Sequence, residues 1–198
     1  MKLTVVYSLV FSMVSANGSI QQPASSPPAH QSASTIVHLQ SAASPEMDRL
    51  AKALAGDWDS VETMERSDFF PNGGSRHGIV HVRLAAGGNS LIYEVHSNGS
   101  AGKLDGFHAI WWDKGAKLYY FFACFNNPNS PCRMRGSAHW EGDTFVNDYE
   151  EMINGKKSQW RDSFVITPTT HTLVAAMNMG DGAMKTFITT RATRRLHA

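Results

Sequence analysis

From Gly56 onward the apolar residues of this chain recur with a period of two, the spacing of a strand with one dry and one wet face. In Cys132–Trp140, Met134, Gly136, Ala138 and Trp140 share one face, while Arg133, Arg135, Ser137 and His139 take the other. Trp160, Phe164 and Ile166 oppose Gln159 and Arg161, and Leu173, Ala175 and Met177 form a matching stripe. Gly78, Val80, Val82 and Leu84 likewise oppose His77, His81 and Arg83. Turn signals interrupt these runs at Pro71-Asn72-Gly73-Gly74, Gly87-Gly88-Asn89, Asn98-Gly99, Lys114-Gly115, Glu141-Gly142-Asp143, Asn154-Gly155, Thr167-Pro168 and Gly180-Asp181-Gly182. Roughly ten strands fit between them. An open meander of that size leaves two edges able to aggregate, and closure removes both. The pattern therefore predicts an all-β fold, a closed up-and-down antiparallel barrel of about ten strands.

Two segments depart from period two. Ser44-Pro45 has the form of an N-cap followed by proline at the first helical position. Met47, Leu50, Ala51 and Leu54 then fall on one helical face, and Gly56 ends the run. One short N-terminal helix is expected. Between Phe107 and Phe125 both strand faces are apolar: Phe107, Trp111, Leu118, Tyr120 and Phe122 on one, Ile110, Trp112, Tyr119 and Phe121 on the other. A strand apolar on both faces needs cover on both, so the helix is expected to lie over the outer face of this hairpin, with a homodimer as the alternative to a monomer.

The residues upstream change the picture of where the protein works. Lys2, an apolar stretch over Leu3–Val14 and the small pair Ser15-Ala16 have the layout of a secretory signal peptide, 1–16. Residues 17–44 are rich in Ser, Ala, Gln and Pro, too polar to offset their ordering entropy, and read as a disordered linker. The barrel domain is then 45–195, and the expected compartment is periplasmic or secreted. There, Cys124 and Cys132 around the loop segment FNNPNSP are expected to form a disulfide; the competing reading, a catalytic thiol, lacks a base at evident spacing.

Composition narrows the function classes. Of 198 residues, 42% are hydrophobic and 18% charged, and 18 Lys and Arg against 17 Asp and Glu leave a net charge of +1. That balance argues against nucleic acid as a partner, since phosphate neutralisation needs a basic excess. No apolar run reaches the roughly 18 residues of a membrane-spanning helix, so a soluble protein is expected. The two cysteines are too few for a zinc site of the four-cysteine kind, and His77 and His81, four apart on one face, lack an evident third ligand. No metal is expected.

Gly56-Asp57-Trp58 opens the first predicted strand directly after the helix. A G-x-W there, ahead of a long meander, resembles the lipocalin and fatty-acid-binding barrels of the calycin type. More closely, the segment from Leu54 to Arg194 is similar to a bacterial lipocalin-like family of unknown function, with Gly106-Phe107 mid-chain and basic residues ending the last strand. The resemblance implies that Trp58 closes one end of the barrel and that Arg191 or Arg194 packs across its ring. The chain lacks the long helix that follows the barrel in secreted lipocalins. A further likeness in shape, to nitrobindin, makes haem worth testing, with His108 or His171 as its ligand.

Strand parity places Trp58, Trp112, Met134, Tyr149, Trp160, Phe164 and Met177 around one interior, a lining suited to a small hydrophobic or aromatic molecule. Glu62, His108, Asn147, Glu151 and Asp162 share those inner faces, and five polar groups exceed what packing needs. The expected function is a binding or carrier protein for such a molecule, with no cofactor. The alternative is a small-barrel enzyme of isomerase, cyclase or lyase type, with His108 as base oriented by Glu62 or Asp162. No phosphate-cradling glycine loop and no G-x-S-x-G elbow occurs.

Overall fold

A computed structural model describes residues 43–67, 70–126, 132, 134–153, 155–178, 180 and 182–196. The described residues all belong to the unit Leu39–Ala198. The expected signal peptide and all but the end of the expected linker lie outside the described residues.

Helix α1 (Pro45–Leu54) starts where the capping chemistry places it. The Ser44 hydroxyl accepts the Met47 N–H at 3.1 Å, Pro45 stands in the first turn beside Glu46, and Asp48 follows. These carboxylates meet the positive end of the helix dipole, and Lys52 meets the negative end. Ten strands follow: β1 (Gly56–Met64), β2 (Gly74–Ala85), β3 (Ser90–Gly99), β4 (Leu104–Asp113), β5 (Leu118–Phe125), β6 (Met134–Glu141), β7 (Thr144–Ile153), β8 (Lys156–Ile166), β9 (Thr170–Asn178) and β10 (Lys185–Arg194). Each pairs antiparallel with the next, and β1 pairs with β10 from Trp58↔Arg194 to Met64↔Ile188, closing the barrel. The fold is the closed ten-stranded up-and-down antiparallel barrel that the period-two pattern predicts.

One predicted turn is part of a strand. Asn98 and Gly99 end β3, paired with His77 and Arg76, and the chain reverses at 100–103. A Cβ on Gly99 would stand 2.2 Å from the Ser75 carbonyl oxygen, so here glycine serves close strand approach and not the turn. A register shift between Thr186 and Ile188 marks a bulge in β10, which carries Phe187.

The helix is not where the doubly apolar hairpin places it. Met47, Leu50 and Leu54 join one buried cluster with Trp58, Val80, Leu91, Ile110, Tyr119 and Phe145. Glu46 accepts the Tyr119 hydroxyl at 2.8 Å, Leu54 accepts the Trp58 indole N–H at 2.9 Å, and Arg49 lies 4.1 Å over Trp140. These partners sit where odd strands begin and even strands end, so α1 caps that end of the barrel. A barrel end exposes a ring of inward apolar side chains, and a helix with one apolar stripe fits across it. The outer face of β4 and β5 packs instead on itself, through Phe107 on Phe122 and Trp111 on Tyr120, with Arg135 over Phe122. Trp111 keeps 39% of its surface exposed.

Candidate functional site

The inner face of the barrel divides into a sealed half and an accessible half. Beneath α1, Trp58, Leu91, Ala138 and Phe145 are completely enclosed. Arg194 seals the floor: its guanidinium lies 4.1 Å over the Trp58 ring and donates to the carbonyls of Ala53, Ala55 and Pro168. Arg191, the other candidate for this role, faces outward and is exposed, because it sits an odd number of residues from Arg194 on a strand with alternating faces. Toward the opposite end the inward side chains of Val95, His108, Phe125, Met134 and Glu151 retain surface. His108 lies deep within the barrel wall yet is not fully buried, as befits a group lining an internal space. The loops at this end include 65–73, 100–103 and 126–133.

Register places all five predicted interior polar residues on the inner face. Asn147 on β7 is the cross-strand partner of Asp162 on β8, and Tyr149 of Trp160, one pair further toward the open end. Asn147 is fully buried, and neither end of its amide has a hydrogen-bond partner among the described residues. The Asp162 carboxylate accepts the Tyr149 hydroxyl at 3.5 Å. Burial is the main cause that raises its pKa to about 7, and the charges of Glu151 and Asp148 add to it. The same burial, with the Asp162 and Glu151 charges, pushes the Tyr149 hydroxyl well above its ordinary pKa. Across the interior Tyr93 is raised too, by burial and then by the charges of Glu62 and Asp162. Asp162 thus lies in a low-dielectric environment that disfavours its charged form.

Two residues that parity also brings inside escaped the sequence reading. Arg76, on the same face as Gly78 and Val80, donates through Nε to Glu62 at 2.7 Å and through a second nitrogen to the same oxygen. Tyr93 shares a face with Leu91 and is the cross-strand partner of His108. The signal for Arg76 was present, since it is separated from Gly78 by two residues, but an arginine in a strand reads by default as surface. Ser97 and Thr190 add buried hydroxyls without a partner among the described residues.

Among the described residues no hydrogen bond joins His108 to Glu62 or Asp162. Glu62 is occupied by Arg76, Asp162 is bonded to Tyr149, and His108 is surrounded by the rings of Tyr93, Phe121 and Phe125 at 5.2–6.1 Å. Burial alone lowers its pKa to about 4, so it is neutral near pH 7 and a weak base. His171 is wedged between Trp58, Tyr93 and Phe164 at 4.6–6.3 Å, with its pKa lowered to about 4 by burial and by Arg194.

Of the proposed lining residues, Tyr149, Trp160 and Met134 border the accessible half. Trp58, Trp112 and Phe164 belong to the sealed half, and Met177 lies beside Trp160. The Tyr149 and Trp160 rings are parallel within 7° at 5.8 Å. Phe121 reaches over Gly136, where an added Cβ would stand 2.8 Å from its ring. Outside the barrel, a groove of about 900 Å³ runs over Trp111, Tyr120, Phe122, Arg135 and Asp148. Cys124 and Cys132 are joined in a disulfide at the open end. Among the described residues no helix is long and apolar enough to cross a membrane, and no cluster of three or more metal-ligating side chains occurs.

No family model matches the chain, and no curated protein matches it. Among solved structures, the S-type phycobiliprotein lyase CPES from Guillardia theta is 10% identical, covering 76% of this chain and 93% of its own, with a TM-score of 0.49. Rv2717c from M. tuberculosis is 11% identical, covering 78% of this chain and 99% of its own, also at 0.49.

Proposed function

We propose that the accessible half of the barrel binds a small, largely aromatic or apolar molecule bearing a few hydrogen-bonding groups, and that the protein is an exported carrier. The observation that carries this reading is Asn147: an amide fully buried with both donor and acceptor unmatched by the protein. Leaving such groups unpaired costs about 1–3 kcal/mol each, a penalty that a ligand with complementary groups removes. Ser97 and Thr190 repeat the pattern, and Tyr149, Trp160 and Met134 supply the apolar body of the site. The disulfide suits an oxidising compartment.

The test is extraction and mass spectrometry of small molecules copurifying with the protein, followed by titration of an aromatic probe against Trp160 fluorescence. Asn147→Leu is expected to weaken binding about tenfold or more while preserving or raising stability, because it removes an unpaired buried amide. Equal binding by this variant, or no probe entering the barrel, would overturn the proposal.

A second reading, proton transfer to or from a bound substrate, is favoured by one observation: Asp162 has a pKa of about 7, near the optimum for a general acid or base at neutral pH. In that reading Tyr149 orients the carboxyl and His108 plays no acid–base part. Asp162→Asn must then abolish turnover that His108→Ala leaves standing.

A further inference from the structure

The charged groups of the interior are unevenly matched. Arg76 is held by Glu62, and Arg194 is committed to Trp58 and three carbonyls at the sealed floor. His108 and His171 are neutral near pH 7. Among the described residues no cationic side chain is bonded to the Asp162 carboxylate; it accepts the Tyr149 hydroxyl at 3.5 Å, a long bond that leaves most of its lone pairs free. Beside it stand the electron-rich faces of Tyr149 and Trp160, stacked parallel, with Tyr93 and Phe164 in edge contact at 6.4 Å. The unmatched amide oxygen of Asn147 is on the neighbouring strand, directly across from Asp162.

A buried carboxylate, an unmatched amide oxygen and aromatic faces side by side on the inner faces of β7 and β8 are complementary to a positively charged nitrogen. We infer that the interior site selects a cationic amine with an aromatic body, its nitrogen bound at Asp162 and Asn147 and its ring against Tyr149 and Trp160. This inference rests on the proposed binding function and adds the charge of the ligand. Binding such a cation holds Asp162 ionised and displaces its proton. Tyr149 and Glu151 on β7 and Tyr93 on β3 share the inner face with Asp162, whereas Asp148 points outward and is bonded to Arg161. The tyrosines have raised pKa values and stay neutral, so they do not compete for the cation's charge.

The experiment compares 1-naphthylmethylamine with neutral 1-naphthalenemethanol by calorimetry on the full chain. At about pH 8 the amine is expected to bind at least tenfold more tightly, the scale of a charge-assisted hydrogen bond. That preference is expected to shrink at about pH 5.5, where Asp162 holds its proton. Asp162→Asn, shown to be folded by its far-ultraviolet dichroism, must lose the preference while keeping its affinity for the alcohol. If both probes bind equally at either pH, or if the alcohol binds better in acid, the cationic assignment fails while the binding function stands. If neither probe binds, both fail.

Discussion

At the residue scale the decisive group is Asp162. A carboxyl moved from water into this interior has its charged form disfavoured, so its pKa rises from 3.8 to about 7. The folded state then holds a proton that the unfolded state releases. The stabilising effect of that proton is fully present below pH 3.8 and is lost as pH rises to about 7. Asp162→Asn keeps the shape and removes the titration. The variant is expected to be more stable than the parent at about pH 8, by roughly 2–4 kcal/mol, and nearly equal to it at about pH 4. Urea unfolding midpoints at the two pH values check this, and equal gaps at both would show that Asp162 does not carry the shift.

Elements add what single residues cannot. Each strand supplies two faces, and which one is dry depends on closure and on what lies at the ends. Helix α1 has no strand partner and finds its dry surface at the barrel end, where Leu50 is completely enclosed. Leu50→Ala is expected to cost about 2–5 kcal/mol. Because the floor beneath is held by Trp58 and Arg194, the variant is also expected to admit a hydrophobic dye at the capped end. A thermal melt and dye-binding titration would read both, and an unchanged melt would place the helix elsewhere.

At the scale of the whole molecule, closure joins the first strand to the last in the folded state, while the disulfide acts on the unfolded chain. Cys124 and Cys132 close a loop of sequence separation 8, and in the chain-entropy view a loop of this length contributes about 2–3 kcal/mol. Reduction is expected to lower the urea midpoint accordingly while leaving the barrel folded, because the ten-strand ladder carries most of the burial. A Cys124→Ser, Cys132→Ser variant that matches the oxidised protein in urea would show the bond to be energetically idle.

Much of the architecture was readable from alternation alone. The inward assignments of Met134, Trp160, Phe164, Leu173 and Met177 follow from a side-chain period of two, a geometric property of any strand. Glu62, His108, Asn147, Glu151 and Asp162 were placed inside by the same count. Parity says which face a residue occupies but not which residue opposite it makes contact. For that reason the Glu62–Arg76 pair, the separation of His108 from both carboxylates, and the choice of Arg194 over Arg191 emerge only once ten strands are wound to a fixed register.

The sequence by itself determined the strand period, most of the turn positions, the helix start at Ser44 and the polar content of the interior, because each depends on neighbours within a few residues. The tertiary structure decided that α1 caps an end and leaves the Trp111 face open, that Trp58 and Arg194 form the floor, and that Asp162 is bonded to Tyr149. These depend on residues far apart in the chain, whose meeting is set by closure of the sheet and the burial that closure creates.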